Sequence, residues 1–290
     1  MTQLVFADRF YQRLTSEVLE NRDNLPLEHY EILTRYYRSL KERPERRSFY
    51  CYNWVCRVQP MLSVLASLPQ CDKLWKVLDA GCGVGTESIF WATFRDDLEV
   101  VGVDANAPRL QTAKARLPNY ERHLGRALKV RFVNDDVFNT LRTDRFDLVW
   151  MMEAISHIEP AEDFLSATAD ALSPGGYVVI SDSNALNPVM AWKILNLRRR
   201  GITHWQEIST ETGAIVQPAA ERLFSPCQLQ KLLRQCGFDV LSVQLTVFFP
   251  PAFARHKNLF AWGRWLDRVC SRIPGLRNIG GIYTIVASKR

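Results

Sequence analysis

The stretch KVLDAGCGVGTES, residues 76–88, decides the fold of this chain. A short apolar run ends at Asp79, and three glycines follow at alternate positions, Gly81, Gly83 and Gly85. Because glycine has no side chain, three alternate glycines let a ligand lie directly against the backbone. The pattern predicts a strand, a tight ligand-binding loop and then a helix.

Apolar runs alternate with helical segments beyond this stretch. The strand at 75–80 is followed by predicted strands at 99–104, 129–134, 146–151 and 177–182. Their runs are continuously apolar, which is typical of parallel strands buried on both faces. A final antiparallel pair is predicted at 239–248 and 281–288. The fold class is therefore α/β, with a doubly wound, mostly parallel, seven-stranded Rossmann-like sheet.

Helical patterns precede the first strand and interrupt the end of the chain. Residues 1–70 are predicted to form a helical N-terminal cap, and residues 71–290 the main domain. Two insertions are expected within that domain, at about 183–224 and 248–280. The first should begin as a helix and continue as a loop.

Composition narrows the class of protein. The chain has 290 residues, 47% of them hydrophobic, and no apolar run approaches the about 18 residues that cross a bilayer. Its start lacks the pattern of a secretory signal, so a cytoplasmic location is expected. The seven cysteines form no Cys-x-x-Cys pair, and no histidines cluster with them, so neither disulfides nor a metal site is expected.

Charge is distributed unevenly along the chain. Residues 188–290 hold 15 Lys and Arg against 5 Asp and Glu, although the whole chain carries only +6. The segment 255–272 mixes apolar and basic residues at helical spacing. Such a helix suits peripheral contact with an anionic membrane, packing against the domain itself, or packing against a second subunit in a homodimer, and all three alternatives stay open.

The spacing of the glycines separates two cofactor classes. A dinucleotide-binding loop has glycines at its first, third and sixth positions, whereas here the third glycine stands fifth and Thr86 stands sixth. The carboxylate of Asp79 would also repel a diphosphate but attract a cation. A nicotinamide-dependent enzyme is therefore disfavoured.

The run VLDAGCGVGT, residues 77–86, resembles the first motif of class I S-adenosylmethionine-dependent methyltransferases of the small-molecule type. The resemblance covers about residues 70–182, with a looser match at 225–240. It implies a methyltransferase with S-adenosylmethionine as cofactor. This methyl donor carries a positively charged sulfur and no phosphate, in keeping with an acidic loop.

The resemblance also implies which residues hold the cofactor. Asp104, 19 residues after Gly85, corresponds to the acid that accepts hydrogen bonds from the ribose hydroxyls. The run NDDV that ends at Val137 corresponds to the adenine-binding motif, where Asp136 is favoured over Asp135 as partner of the amino group. The predicted cofactor-binding set is Asp79, Gly81, Cys82, Gly83, Gly85, Asp104, Ala105, Asp135, Asp136, Val137 and Met151.

The catalytic candidates lie in MMEAISHIEP, residues 151–160, after the fourth strand, where open α/β folds bind ligands. His157 is the candidate general base, because imidazole titrates near physiological pH. Glu153 is a candidate for orienting the acceptor or for binding the cofactor's amino group. The segment lacks the Asn/Asp-Pro-Pro-aromatic motif of enzymes that methylate nucleic acids, so no nucleic-acid partner is expected.

These observations predict methyl transfer to a small-molecule or lipid-like acceptor at oxygen. Two alternatives stay open. One is a nicotinamide-dependent oxidoreductase, and the other is a protein that binds S-adenosylmethionine without catalysis and acts as a regulatory or assembly partner.

Overall fold

The computed structural model describes residues 3–21, 24–69, 73–199, 205–208, 215–219 and 223–290. The strands are β1 (Trp75–Ala80), β2 (Leu98–Val103), β3 (Val130–Val133), β4 (Phe146–Met152), β5 (Leu172–Ser183), β6 (Trp205–Ile208), β7 (Ile215–Ala219), β8 (Phe238–Thr246) and β9 (Ile282–Lys289). The helices are α1 (Gln3–Glu20), α2 (Leu27–Tyr36), α3 (Arg38–Glu42), α4 (Arg47–Ser67), α5 (Thr86–Phe94), α6 (Ala107–Leu124), α7 (Val137–Thr143), α8 (Ala161–Ala171), α9 (Pro188–Arg199), α10 (Pro226–Gln235) and α11 (Lys257–Cys270).

One seven-stranded sheet forms the centre, in the order β3-β2-β1-β4-β5-β9-β8. The first five strands are parallel, and β9 runs antiparallel to both β5 and β8. The predicted sheet and its closing antiparallel pair are confirmed. From β1 the chain first builds outward to β3 and then crosses to β4, so the strand order reverses between β1 and β4. Open α/β sheets bind ligands at such a switch point, outside the carboxyl ends of the strands.

Both faces of the sheet are covered, which explains the continuously apolar strands. Val77 and Leu148 belong to one buried cluster, together with residues of α1, α4, α5 and α6. Their neighbours Leu78 and Val149 belong to a second cluster, with residues of α8 and α10. Side chains alternate across a strand, so each strand serves two hydrophobic layers at once.

The helical cap shares the first of these layers. Phe10 of α1 stacks on Trp54 of α4 with ring centroids 5.8 Å apart, and both rings contact Phe90 of α5. The cap helices therefore pack directly on the sheet domain through common aromatic contacts. The predicted boundary at residue 70 lies outside the described residues and stays a prediction.

Strand β5 differs from its predicted start. It begins at Leu172, five residues before the predicted start at 177. The register pairs Phe146 with Leu172 and then Leu148 with Tyr177, so the intervening residues bulge out of the ladder. Gly175 lies in this bulge and has φ of +72°, a left-handed conformation that glycine adopts easily. The run SPGG at 173–176 is typical of a turn, but here it marks a bulge within a strand.

The first insertion also differs from the prediction. After α9, the chain forms the antiparallel pair β6 and β7 where a loop was expected. Strands of four and five residues are too short to show a clear alternation of apolar and polar residues. The rest of the stretch between 200 and 222 lies outside the described residues.

Three further properties concern the described residues. None of their helices is long and apolar enough to cross a membrane. Their six cysteines are free thiols. Within the same ranges, no three His, Cys, Asp or Glu side chains come together as a metal site would require.

Candidate cofactor and acceptor site

The glycine loop between β1 and α5 needs all three of its glycines. Gly81, Gly83 and Gly85 have φ of +77°, +54° and +76°, in the left-handed region that favours glycine. A Cβ on Gly83 would stand 2.9 Å from the Tyr36 hydroxyl, and one on Gly85 would stand 2.7 Å from the Phe132 ring. The bare backbone thus lets neighbouring side chains close tightly around the loop.

Asp79 is the second-last residue of β1, directly before this loop, and is only 2% exposed. Its Oδ2 accepts a hydrogen bond of 2.6 Å from Ser88 Oγ in the first turn of α5. Burial, followed by the nearby Glu87 carboxylate, raises the pKa of Asp79 to about 8. The Asp79 carboxyl group therefore lies at the start of α5, the kind of position at which phosphate-binding folds hold a phosphate. A cation bound nearby would stabilise its charged form.

Asp104 connects the second loop to the first. Its Oδ2 accepts from the Gly83 amide at 2.7 Å, and its Oδ1 accepts from the Asn106 amide at 2.7 Å. Asn134 in the third loop donates to the Asp104 carbonyl at 2.9 Å. Three loops that sequence reasoning assigned to one cofactor are therefore joined by hydrogen bonds around Asp104.

The third loop presents two carboxylates at the start of α7. Asp136 is exposed and caps the helix, because its Oδ1 accepts from the Phe138 amide at 2.9 Å. Asp135 is half-buried, and its Oδ1 accepts from the Asp136 amide and the Asn139 side chain. Both acids lie beside Val137, the first residue of α7. The preference for Asp136 as the adenine partner stays a prediction.

The remaining predicted cofactor residues have different surroundings. Cys82 is buried, and burial followed by the Asp79 carboxylate raises the pKa of its thiol well above the usual range. Ala105 is exposed at the end of β2. Met151 is fully buried in the second hydrophobic layer. Cys82 therefore contributes a neutral thiol and its main chain to the loop.

A buried ion pair between α1 and α6 connects the helical cap to the glycine loop. Arg116 of α6 donates from Nε and Nη2 to the two carboxylate oxygens of Glu17 in α1, at 2.7 and 2.8 Å. The guanidinium also donates to the Val84 carbonyl and to the Thr86 hydroxyl within the loop region. Both charged side chains are fully buried. Sequence reasoning missed this pair, because no spacing relates two residues 99 positions apart.

Two other cap residues contact the same region. Tyr37 donates its hydroxyl proton to the Thr86 hydroxyl at 2.8 Å. Trp54 Nε1 donates to Glu87 Oε1 at 2.8 Å. Burial raises the pKa of Glu87. The cap therefore covers the side of the site where α5 begins.

The acceptor side of the site lies after β4. Glu153 has φ of +51°, an uncommon conformation for a side-chain-bearing residue. Its Oε1 accepts a hydrogen bond of 2.7 Å from Arg57 Nη2 of α4. Arg57 is 5% exposed, so the Glu153 carboxylate compensates a buried positive charge. His157 ends a short 3-10 turn at 155–157, is exposed and has no side-chain hydrogen bond to a described residue.

The electrostatics of the loop favour a cationic ligand. Asp79, Glu87 and Asp104 are close enough that the other two carboxylates raise the pKa of Asp79. The buried Arg116 beside them is already paired with Glu17. The sulfonium and amino groups of S-adenosylmethionine carry positive charge that would compensate these carboxylates, whereas a diphosphate would add further negative charge. The residues present therefore fit this cofactor.

The comparison with protein families agrees with this geometry. A family model described as a methyltransferase domain matches residues 15–243, so the chain belongs to this family of methyltransferases. S-adenosylmethionine, the methyl donor of the class I enzymes, is accordingly its cofactor.

Two curated relatives are O-methyltransferases. The chain is 31% identical over 107 residues to the erythromycin 3''-O-methyltransferase of Saccharopolyspora erythraea, covering 37% of this chain and 34% of that protein. It is 26% identical over 179 residues to a ubiquinone biosynthesis O-methyltransferase of Cereibacter sphaeroides, covering 62% and 66% of the two chains. The chain thus spans less than two thirds of the length of these relatives.

A solved structure shares the fold. It is a possible histamine N-methyltransferase from Thermotoga maritima, described as dependent on S-adenosylmethionine, with a TM-score of 0.54 and 15% identity. The match covers 90% of this chain and all of the other. At this identity the likeness supports the Rossmann-like architecture alone.

Proposed function

We propose that this chain transfers a methyl group from S-adenosylmethionine to an oxygen of a small or lipid-like acceptor. The observation that carries the proposal is the glycine loop surrounded by carboxylates, which suits a sulfonium and repels a diphosphate. The two O-methyltransferases among the relatives support oxygen as the methylated atom.

In this proposal one group of residues binds the cofactor and another binds the acceptor. Asp104 holds the ribose hydroxyls, and the loop from Gly81 to Gly85 supports the methionine portion next to Asp79. The donor supplies an electrophilic methyl group. Glu153, oriented by Arg57, positions the acceptor, and His157 is the candidate base that receives its proton. Catalysis then depends mainly on proximity and alignment of the reacting atoms.

Equilibrium binding of two cofactors tests the class of enzyme. We expect calorimetry to detect S-adenosylmethionine and S-adenosylhomocysteine binding to the purified chain and to detect no NAD binding. Binding of NAD with no binding of either sulfur compound would support the oxidoreductase alternative and refute the proposal.

Label transfer separates an enzyme from a binding protein. We expect tritium from methyl-labelled S-adenosylmethionine to enter a metabolite or lipid extract as a product that resists the hydrolysis of methyl esters. Tight cofactor binding with no labelled product would instead favour the regulatory or assembly protein.

We further propose that α11 and the turn after it contact an anionic membrane. The outward face of α11 carries Leu259, Trp262 and Trp265, and the two tryptophans are about half exposed. The exposed basic residues along 251–279 are Arg255, Lys257, Arg264, Arg268, Arg272 and Arg277. The acid of α11, Asp267, is buried and accepts hydrogen bonds from Tyr52 and the main chain. Aromatic and basic residues on one surface match a lipid interface, whereas a second copy would present the same positive charge.

Vesicle flotation tests this contact. We expect the chain to float with vesicles that contain phosphatidylglycerol, less at high salt, and to remain behind with phosphatidylcholine alone. Replacing Trp262 and Trp265 by Ala should abolish flotation, while Leu27→Ala, at a more exposed apolar residue that lies in α2, should not. No flotation together with a dimeric mass in solution would favour the homodimer.

A further inference from the structure

Two buried polar side chains are directly opposed across β5 and β9, and each has one polar atom without a hydrogen-bond partner among the described residues. Asp182 and Tyr283 are directly opposed in the antiparallel register. Their exposed fractions are 3% and 0%. Asp182 Oδ1 accepts from the Ser183 amide, but Asp182 Oδ2 and the Tyr283 hydroxyl have no hydrogen-bond partner among the described residues. Buried polar atoms are rarely left unpaired, so an orphaned donor and acceptor at one place indicate a missing polar ligand.

This pair lies at the same sheet edge as the glycine loop. Asp182 follows Ser181, which pairs with the last residue of β4. The Ser156 amide in the turn after β4 interacts with the Asp182 carboxylate. The same turn begins beside the glycine loop, because a Cβ on Gly81 would stand 2.8 Å from that of Ala154. Since β1 and β5 are separated only by β4, the loop and Asp182 are roughly 10 Å apart.

We propose that Asp182 and Tyr283 form the subsite that binds the reacting hydroxyl group of the acceptor, and that Asp182, in place of the exposed His157, receives its proton. The proposal rests on the proposed methyltransferase function and specifies the acceptor side of the same site. The acceptor hydroxyl donates its hydrogen bond to Asp182 Oδ2 and accepts one from the Tyr283 hydroxyl. One group thereby satisfies both orphaned atoms.

The surroundings of Asp182 indicate which hydroxyl compounds react there. Burial, followed by the Glu153 carboxylate, raises the pKa of Asp182 to about 7, while Arg57 acts in the opposite direction. The Tyr283 hydroxyl remains neutral, since burial raises its pKa well above the usual range. A base of this strength accepts a proton from a phenol or enol, whose pKa is near 10, far more readily than from an aliphatic alcohol. The acceptor class is therefore an acidic hydroxyl compound, with a phenol as the simplest example.

The chemical step balances with these groups. The acceptor oxygen forms a bond to the methyl carbon while the carbon–sulfur bond of the donor breaks and its electron pair stays on sulfur. The hydroxyl proton moves to Asp182 Oδ2. The products are a methyl ether, S-adenosylhomocysteine and a protonated Asp182, which later returns its proton to solvent.

Probe binding tests the subsite without requiring the natural acceptor. The protein is saturated with S-adenosylhomocysteine and titrated with p-cresol or with its methyl ether, 4-methylanisole, followed by NMR. We expect p-cresol to bind at least fivefold more tightly than the ether in the wild type. Asp182→Asn and Tyr283→Phe should each remove most of that preference and leave ether binding unchanged. The control Asp239→Asn, an exposed acid on β8, should behave as the wild type.

The outcomes separate this proposal from the function on which it rests. Failure of S-adenosylhomocysteine to bind would refute the methyltransferase proposal itself. Normal S-adenosylhomocysteine binding with equal affinity for p-cresol and its ether would overturn the subsite alone. Variants that change the melting temperature without changing the preference would show that the pair holds an internal water, which also overturns it. The wild-type comparison still decides the matter if a variant fails to fold.

Discussion

The buried acid below the glycine loop should make cofactor binding release a proton. With a pKa of about 8, Asp79 is about 90% protonated at pH 7 in the free protein. A sulfonium bound nearby favours the carboxylate, so binding should expel up to about 0.9 proton at pH 7. The same linkage should strengthen cofactor affinity roughly fivefold between pH 7 and pH 8, with little further gain above pH 9.

Calorimetry in buffers of different ionisation enthalpy measures the released proton directly. The observed binding enthalpy should vary with buffer in the wild type, and this variation should nearly disappear in Asp79→Asn. The exposed Glu162→Gln, in the first turn of α8, is the matched control and should retain it. A wild-type enthalpy that is independent of buffer would refute the reasoning, as would equal proton release by Asp79→Asn.

The sign of the stability effect follows from the same shift. The folded pKa of Asp79 lies above its ordinary value of 3.8, so the folded state binds more protons between the two values. The stabilisation is complete below about pH 4 and is lost as the pH rises through about 8. Urea unfolding should therefore show that the wild type loses stability relative to Asp79→Asn over this range. An unchanged difference between the two proteins would contradict a raised pKa.

Three further predictions follow from single positions. Asp104→Ala should weaken cofactor binding by about 1–3 kcal/mol, through lost hydrogen bonds to ribose and to the Gly83 amide, and an unchanged dissociation constant would exclude the role. Gly85→Ala should lower the free energy of unfolding in urea by about 2–5 kcal/mol, since backbone strain at φ +76° adds to a contact of 2.7 Å. The control Gly125→Ala has a similar φ of +66° but open space around it, so it should cost only about 1–2 kcal/mol. Equal costs would show that close packing at Gly85 is unimportant. His157→Ala should retain most of the turnover and the full cofactor affinity, because Asp182 accepts the proton, whereas lost turnover at unchanged cofactor affinity would identify His157 as the base.

Much of the architecture was predictable because it depends on local signals. Continuous apolar runs predicted β1 within its observed bounds. Ser225 followed by Pro226 is likewise a local start signal, and α10 begins there with a complete capping box. The glycines predicted a tight loop, and all three adopt the left-handed backbone that glycine reaches most easily. Their spacing and the acid at position 79 disfavoured a dinucleotide, and the resemblance of residues 77–86 to the methyltransferase motif implied the cofactor class.

The acceptor side could be decided only by the tertiary structure. Arg57 reads in the sequence as one charge within an apolar helix, and its partner Glu153 lies 96 residues away. Asp182 and Tyr283 meet because β9 inserts between β5 and β8, a pairing that no local pattern encodes. Short-range sequence preferences act on backbone conformation and burial, so they determine strands, caps and tight loops. Buried charges and orphaned hydroxyls depend on which distant segments the folded sheet brings together, and only the assembled fold decides that.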